Sequence, residues 1–170
     1  MLRFTKSDEF FDSIRFVLRA REAKDKTKPA FMGLYSDGEN IVCSDSRRLH
    51  FAPVKMQEGL FEVIKNTAAE IVLGEQIDGQ FPNYKQVIPC LDGIEPVKLA
   101  PWSKWHNSGA STAHYQIAAA GVCVNYGYLE DAIKDTESRI TYITGPKSAV
   151  VIQTNLGTAL VMPIEVKEEK

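Results

Sequence analysis

No apolar stretch of this sequence approaches the length of a membrane span, and no short apolar core of an export signal stands near residue 1. Cysteine is scarce: Cys43, Cys90 and Cys123 are odd in number, far apart and in no C-x-x-C spacing. That argues against a disulfide framework or a paired-thiol metal site, and Cys43 and Cys123 lie in apolar runs that suit buried, reduced thiols. The expectation is a soluble protein in a reducing, cytoplasmic setting with no membrane partner. Charge of one sign is also lacking, since the net charge is −2 and the pI about 5.9. No global basic field advertises nucleic acid. The charge is uneven, however: residues 1–28 hold eight Lys/Arg against five Asp/Glu, a local +3, which leaves −5 for the rest.

Signatures of catalysis are absent too. His50, His106 and His114 are not spaced as ligands on one element, and no cysteine joins them in a metal pattern. Gly145-Pro146-Lys147-Ser148 echoes the end of a phosphate loop without its upstream glycine. There is no G-x-S-x-G elbow, and no pair of carboxylates is arranged to split its pKa values. The chain reads as a non-enzyme that needs no cofactor and no metal.

What is present fits one globular domain of 170 residues, 44% hydrophobic and 25% charged. Its centre is residues 41–54, IVCSDSRRLHFAPV, which read as two strands joined at a polar elbow, Ser44-Asp45-Ser46-Arg47-Arg48. Asp and Ser bond their own backbone two residues on, so the elbow should be a tight turn that presents Arg47, Arg48 and Leu49 as a fixed edge. Before it, a short strand at residues 2–5 leads into a helix over about residues 8–22, with Ser7 as N-cap and Phe10, Phe11, Ile14, Val17 and Leu18 as the buried stripe. Arg15, Arg19, Arg21, Lys24 and Lys26 lie on its other face and beyond: either a solvated surface or one that meets phosphates. Pro29 should stop this helix, and residues 31–35 should begin the next strand.

Residues 60–65 and 70–73 read as a hairpin around Asn66-Thr67-Ala68. Pro82 cannot serve a central strand, so FPNYKQVIP reads as an extended linker that packs its aromatics. Residues 90–111 are loose, with Trp102 and Trp105 as loop anchors. Residues 115–124 should be a buried strand, or a pair broken near Gly121. Asn125 should cap a short helix through Tyr128, Leu129, Ala132 and Ile133, and residues 139–144, 149–153 and 158–163 make three strands. The order strand, helix, strand, strand, strand thus occurs twice. Residues 1–57 are one βαβββ unit, 58–112 a hairpin, linker and irregular insert, 113–166 the second unit and 167–170 a solvated tail.

Together SDSRRL, FPNYKQVIP and the C-terminal LVMPIEV, in that order, resemble the bacterial DNA polymerase sliding clamp, the processivity beta subunit. The resemblance implies an α+β DNA-clamp fold, with the helices on one face of antiparallel sheets and turned toward DNA. It also implies a cleft that binds the tails of DNA polymerase and repair proteins carrying clamp-binding motifs. Matched residue by residue, Ser44, Ser46, Arg47, Arg48 and Leu49 fall on the elbow wall, and Phe31 on the apolar floor. Pro82 and Val87 fall on the linker, Asn125 and Tyr128 on the second helix start, and Leu160, Val161, Met162 and Pro163 on the C-terminal wall. The family usually has Gly where Ser46 stands, His at Arg47 and a basic residue at Glu165. The chain is much shorter than a three-domain clamp, so encircling double-stranded DNA would require a homo-oligomer. The second helix, with Glu130, Asp131, Asp135 and Glu137 against Lys134, is poorly suited to face phosphates. A clamp-like regulator or decoy of the phage or mobile-element type, one that binds such tails without encircling DNA, is the alternative.

Overall fold

A computed structural model describes residues 1–22, 24–99, 114–117 and 121–164, the side chains of 114–117 excepted. Trp102, Trp105, His106, Glu165 and the tail lie outside the described residues. In chain order the elements are β1 (Leu2–Thr5), α1 (Phe11–Leu18), α2 (Pro29–Met32), β2 (Leu34–Ser36), β3 (Ile41–Ser44), β4 (Arg48–Ala52), β5 (Gly59–Asn66) and β6 (Glu70–Gln76). A 3-10 turn at Tyr84–Val87 is followed by β7 (His114–Ile117), β8 (Val122–Asn125), α3 (Tyr126–Ile133), β9 (Arg139–Ile143), β10 (Val150–Thr154) and β11 (Thr158–Val161).

One nine-stranded sheet, antiparallel throughout, runs β1-β6-β5-β2-β3-β4-β11-β10-β9, and β7 pairs with β8 apart from it. The two βαβββ halves meet where β4 pairs with β11, Leu49 opposite Leu160. The leading strands differ: β1 leaves its own half to close the far edge on β6, whereas β8 stays with the second half and bridges Val124 to Pro163. This is the α+β, mostly antiparallel architecture expected.

Strand alternation sorts the side chains between two faces. Ile41, Cys43, Ala52, Val150, Ile152, Ala159 and Val161 pack with Phe11, Ile14, Val17, Leu129 and Ile133 under α1 and α3. Val42, Leu49, Phe51, Val151 and Leu160 face the other way, where Phe81 and Tyr84 of the linker cover them. Both faces of β3 are thereby occupied, which is why its residues are buried without the polar alternation of a one-sided strand.

Three local expectations need correction. The first helix begins at Phe11 and has no side-chain cap, because Asp8 rather than Ser7 closes the preceding turn. Its carboxylate accepts from the Thr5 N–H (2.6 Å) and hydroxyl (2.8 Å). The helix leaves regular geometry after Leu18, where the N–H groups of Arg19, Ala20 and Arg21 reach back only three residues. Second, Pro29 starts a helix instead of stopping one: its fixed φ and missing N–H suit the first helical position. Phe31 is therefore helical, and the following strand begins only at Leu34. Ala30 and Phe31 pack on the linker side, so α2 departs from the rule of helices on one face. Third, the linker is not extended throughout, since it winds into the Tyr84–Val87 turn.

Gly157 holds the two halves close. Its φ of +154 is strained for other residues, and a Cβ there would lie 2.4 Å from the Phe51 carbonyl oxygen.

Candidate functional site

The β3–β4 elbow is fixed by its own side chains. The Ser44 hydroxyl donates to the Arg48 carbonyl (2.8 Å) and accepts from the Ser46 N–H (3.1 Å). Asp45 Oδ1 accepts from the N–H groups of Arg47 (2.9 Å) and Arg48 (3.0 Å). Ser46 takes a positive φ of 76°, the left-handed conformation that glycine adopts without cost. The Met162 N–H donates to the Arg47 carbonyl at 2.9 Å and ties the end of β11 to the elbow.

The linker forms the opposite wall. Phe81 stacks on Tyr35 with centroids 4.9 Å apart and meets Phe31 edge-on at 5.9 Å. The Tyr84 hydroxyl donates to Asp37 (2.9 Å), whose same oxygen takes the Lys85 ammonium at 2.8 Å. Against the upward push of burial, Lys85, the Asn40 and Glu39 N–H groups and Tyr84 hold the Asp37 carboxyl far below the usual range. Burial and the Asp37 bond push the Tyr84 phenol up. The linker is thus clamped to the β2–β3 turn by a charged, hydrogen-bonded post.

Between these walls lies a cleft of about 190 Å³. It is lined by Phe31, Ser44, Ser46, Arg47, Arg48, Leu49, Pro82, Val87, Leu160 and Met162, all of which the sequence had singled out. Phe81, Asn83, Tyr84 and Ala149 complete it and had been passed over. The aromatic run beside Pro82 was a signal for the first three; nothing in the sequence marked Ala149. Small beside the ~300–1,000 Å³ of whole-ligand pockets, the cleft is sized for side chains of an extended segment. Val87 (55% exposed) and Met162 (44%) offer apolar surface at its mouth.

Four other candidates stand elsewhere. The Val161 side chain is fully buried under the helices, on the opposite face of β11 from Leu160. Pro163 pairs with Val124, behind the cleft. Asn125 caps α3 by accepting from the Tyr128 N–H (3.1 Å). Tyr128 supports Arg48, whose guanidinium lies 4.3 Å above its ring. Arg48 also pairs with Asp45 (3.0 Å) and with Asp131 of α3, so it braces the elbow against the second half.

On the helix face, Arg19 donates to the carbonyls of Asp131 (3.2 Å) and Lys134 (2.6 Å) and pairs with Asp135, capping the C-terminal end of α3. Arg21 donates to the Met32 carbonyl (3.2 Å). Arg15 lies over Phe11, and Lys24 and Lys26 are exposed.

No group of His, Cys, Asp and Glu among the described residues could hold a metal, and no helix there is long and apolar enough to cross a membrane. Burial pushes the Cys43 thiol up to about 12, which leaves it unreactive. His50, fully buried, stacks on Phe16 with its Nδ1 2.8 Å from the Phe16 carbonyl. That carbonyl can only accept, so Nδ1 carries the proton and Nε2 has no partner among the described residues. Burial is the main cause that lowers the His50 pKa to about 3. The ring is a neutral core group rather than an acid–base catalyst.

No protein-family model matches the sequence, and no curated protein matches it. Solved structures do. The Helicobacter pylori beta clamp bound to a DNA ligase peptide superposes with a TM-score of 0.65 at 14% identity, over 95% of this chain and 64% of that one. The DNA polymerase III subunit beta of Pseudomonas aeruginosa gives 0.62 at 14% identity, over 97% and 67%. That of Thermotoga maritima gives 0.61 at 14%, over 98% and 65%. This chain therefore spans about two thirds of the length of each.

Proposed function

We propose that this chain, which has the fold of the DNA polymerase III beta sliding clamps, uses its cleft to hold short linear motifs of replication or repair proteins. The reading is of a non-enzymatic recruitment factor. The observation that carries it is the convergence of elbow, linker and β11 end on one small apolar cleft with a fixed polar rim. The similar Helicobacter clamp binds a DNA ligase peptide, which is the class of occupant proposed here. Leu49, Leu160, Val87 and Met162 would take an apolar anchor, and the unbranched Met162 adapts to more than one shape. Processivity would additionally require several copies to close around double-stranded DNA.

Fluorescence anisotropy with a labelled Gln-x-x-Leu-Phe peptide tests the cleft. Micromolar binding, about −8 kcal/mol, that weakens several-fold in Met162→Ala is expected. Absence of binding by the wild type would remove the recruitment reading.

One observation favours a regulator that binds such tails without encircling DNA. Arg19 is already committed to the α3 terminus and so is not free to meet phosphates, and α3 itself adds the acidic Glu130. Salt-resistant retention on closed circular DNA, lost on linearisation, is the result expected of a ring and not of that regulator.

A further inference from the structure

We propose that Arg47 is the recognition cation of the cleft and selects segments that carry a carboxylate beside their apolar anchor. The inference rests on the peptide-cleft reading and names the chemistry of its occupant.

Among the described residues two charged side chains line the cleft, Arg47 and Arg48, and no acid does. Their situations differ. Arg48 is 11% exposed, paired with Asp45 and Asp131 and stacked on Tyr128. Two carboxylates compensate its charge from behind the wall, which leaves it little to offer a ligand. Arg47 is exposed. Its backbone is fixed at both ends, the N–H on Asp45 and the carbonyl on the Met162 N–H. Its guanidinium takes part in none of the ion pairs among the described residues. The nearby cation of the linker wall, Lys85, is held by Asp37.

A rigidly based guanidinium that no acid among the described residues pairs, at the edge of an apolar cleft, matches one ligand pattern. The apolar anchor enters between Leu49, Leu160 and Met162, and an adjacent Asp or Glu meets the Arg47 fork, whose geometry fits a carboxylate. Because Arg47 is solvated, the pairing discriminates modestly and is sensitive to salt.

The test compares labelled Gln-Ser-Asp-Leu-Phe and Gln-Ser-Asn-Leu-Phe peptides on the full chain and on Arg47→Gln. The ratio of the two affinities is the readout. At low salt the wild type should favour the Asp peptide by about two- to fivefold. That preference should vanish in Arg47→Gln and shrink as salt is added. Equal affinities in the wild type, or a preference that survives Arg47→Gln, would overturn the assignment while leaving the cleft intact. If neither peptide binds the wild type, the cleft reading falls and the assignment with it.

Discussion

The two faces of the nine-stranded sheet are covered differently. Over one lie α1 and α3, whose Phe11, Ile14, Val17 and Leu129 complete a continuous core with β3, β4, β10 and β11. Over the other runs the linker, which covers Val42 and Phe51 through Phe81 and Tyr84 and stops short of the elbow. A helix buries a broad stripe of sheet, whereas an irregular strand carrying a proline covers only what its aromatics reach. The uncovered remainder is the cleft, so here the binding face is a place where core formation is left unfinished.

If the helix face carries the stability, damage there should cost most. Phe16→Ala removes a fully buried ring that also stacks on His50, and we expect a loss of about 3–5 kcal/mol. Urea unfolding measures it; a loss below that of a linker variant would reverse the assignment of roles to the two faces.

Acid sharpens the same contrast. The folded pKa of His50 is depressed to about 3 from 6.5, so below pH 6.5 the unfolded chain binds a proton that the folded chain refuses. The stability is fully present above pH 6.5 and falls as pH is lowered toward about 3, with a slope of up to about 1.4 kcal/mol per pH unit. His50→Asn should flatten that slope in urea midpoints taken at several pH values, although it lowers stability overall.

On the linker face the effects should be smaller. Tyr84→Phe deletes the bond to Asp37 and should cost about 1 kcal/mol, while loosening the cleft wall enough to weaken peptide binding. A variant that keeps wild-type affinity would mean that the post is not what holds the wall.

Much of the fold was legible because its signals are local. The apolar run at residues 41–43, the alternation at 49–51, the Asn125 cap and the apolar strands after residue 139 each depend on near neighbours, and each formed as read. The misreadings came from competition between equally local signals. Ser7 and Asp8 both suit a cap, and the nearby Thr5 drew Asp8 into a turn. Pro29 is compatible with ending a helix or beginning one, and the packing of Ala30 and Phe31 beneath the linker accompanies the second outcome.

The cleft divides along the same line. The sequence by itself determined the elbow, because Ser44 and Asp45 bond a backbone within four residues of themselves. It also determined which strand residues are apolar. Only the tertiary structure decided that Leu160 faces the cleft while Val161 faces the helices, since that follows from the register of β11 on β4. Likewise, adjacent arginines that read alike parted when Asp131, 83 positions away, arrived beside Arg48 and left Arg47 without an ion-pair partner among the described residues. A charge is fixed by the residue type, but what neutralises it is fixed by the long-range packing that brings a partner within reach.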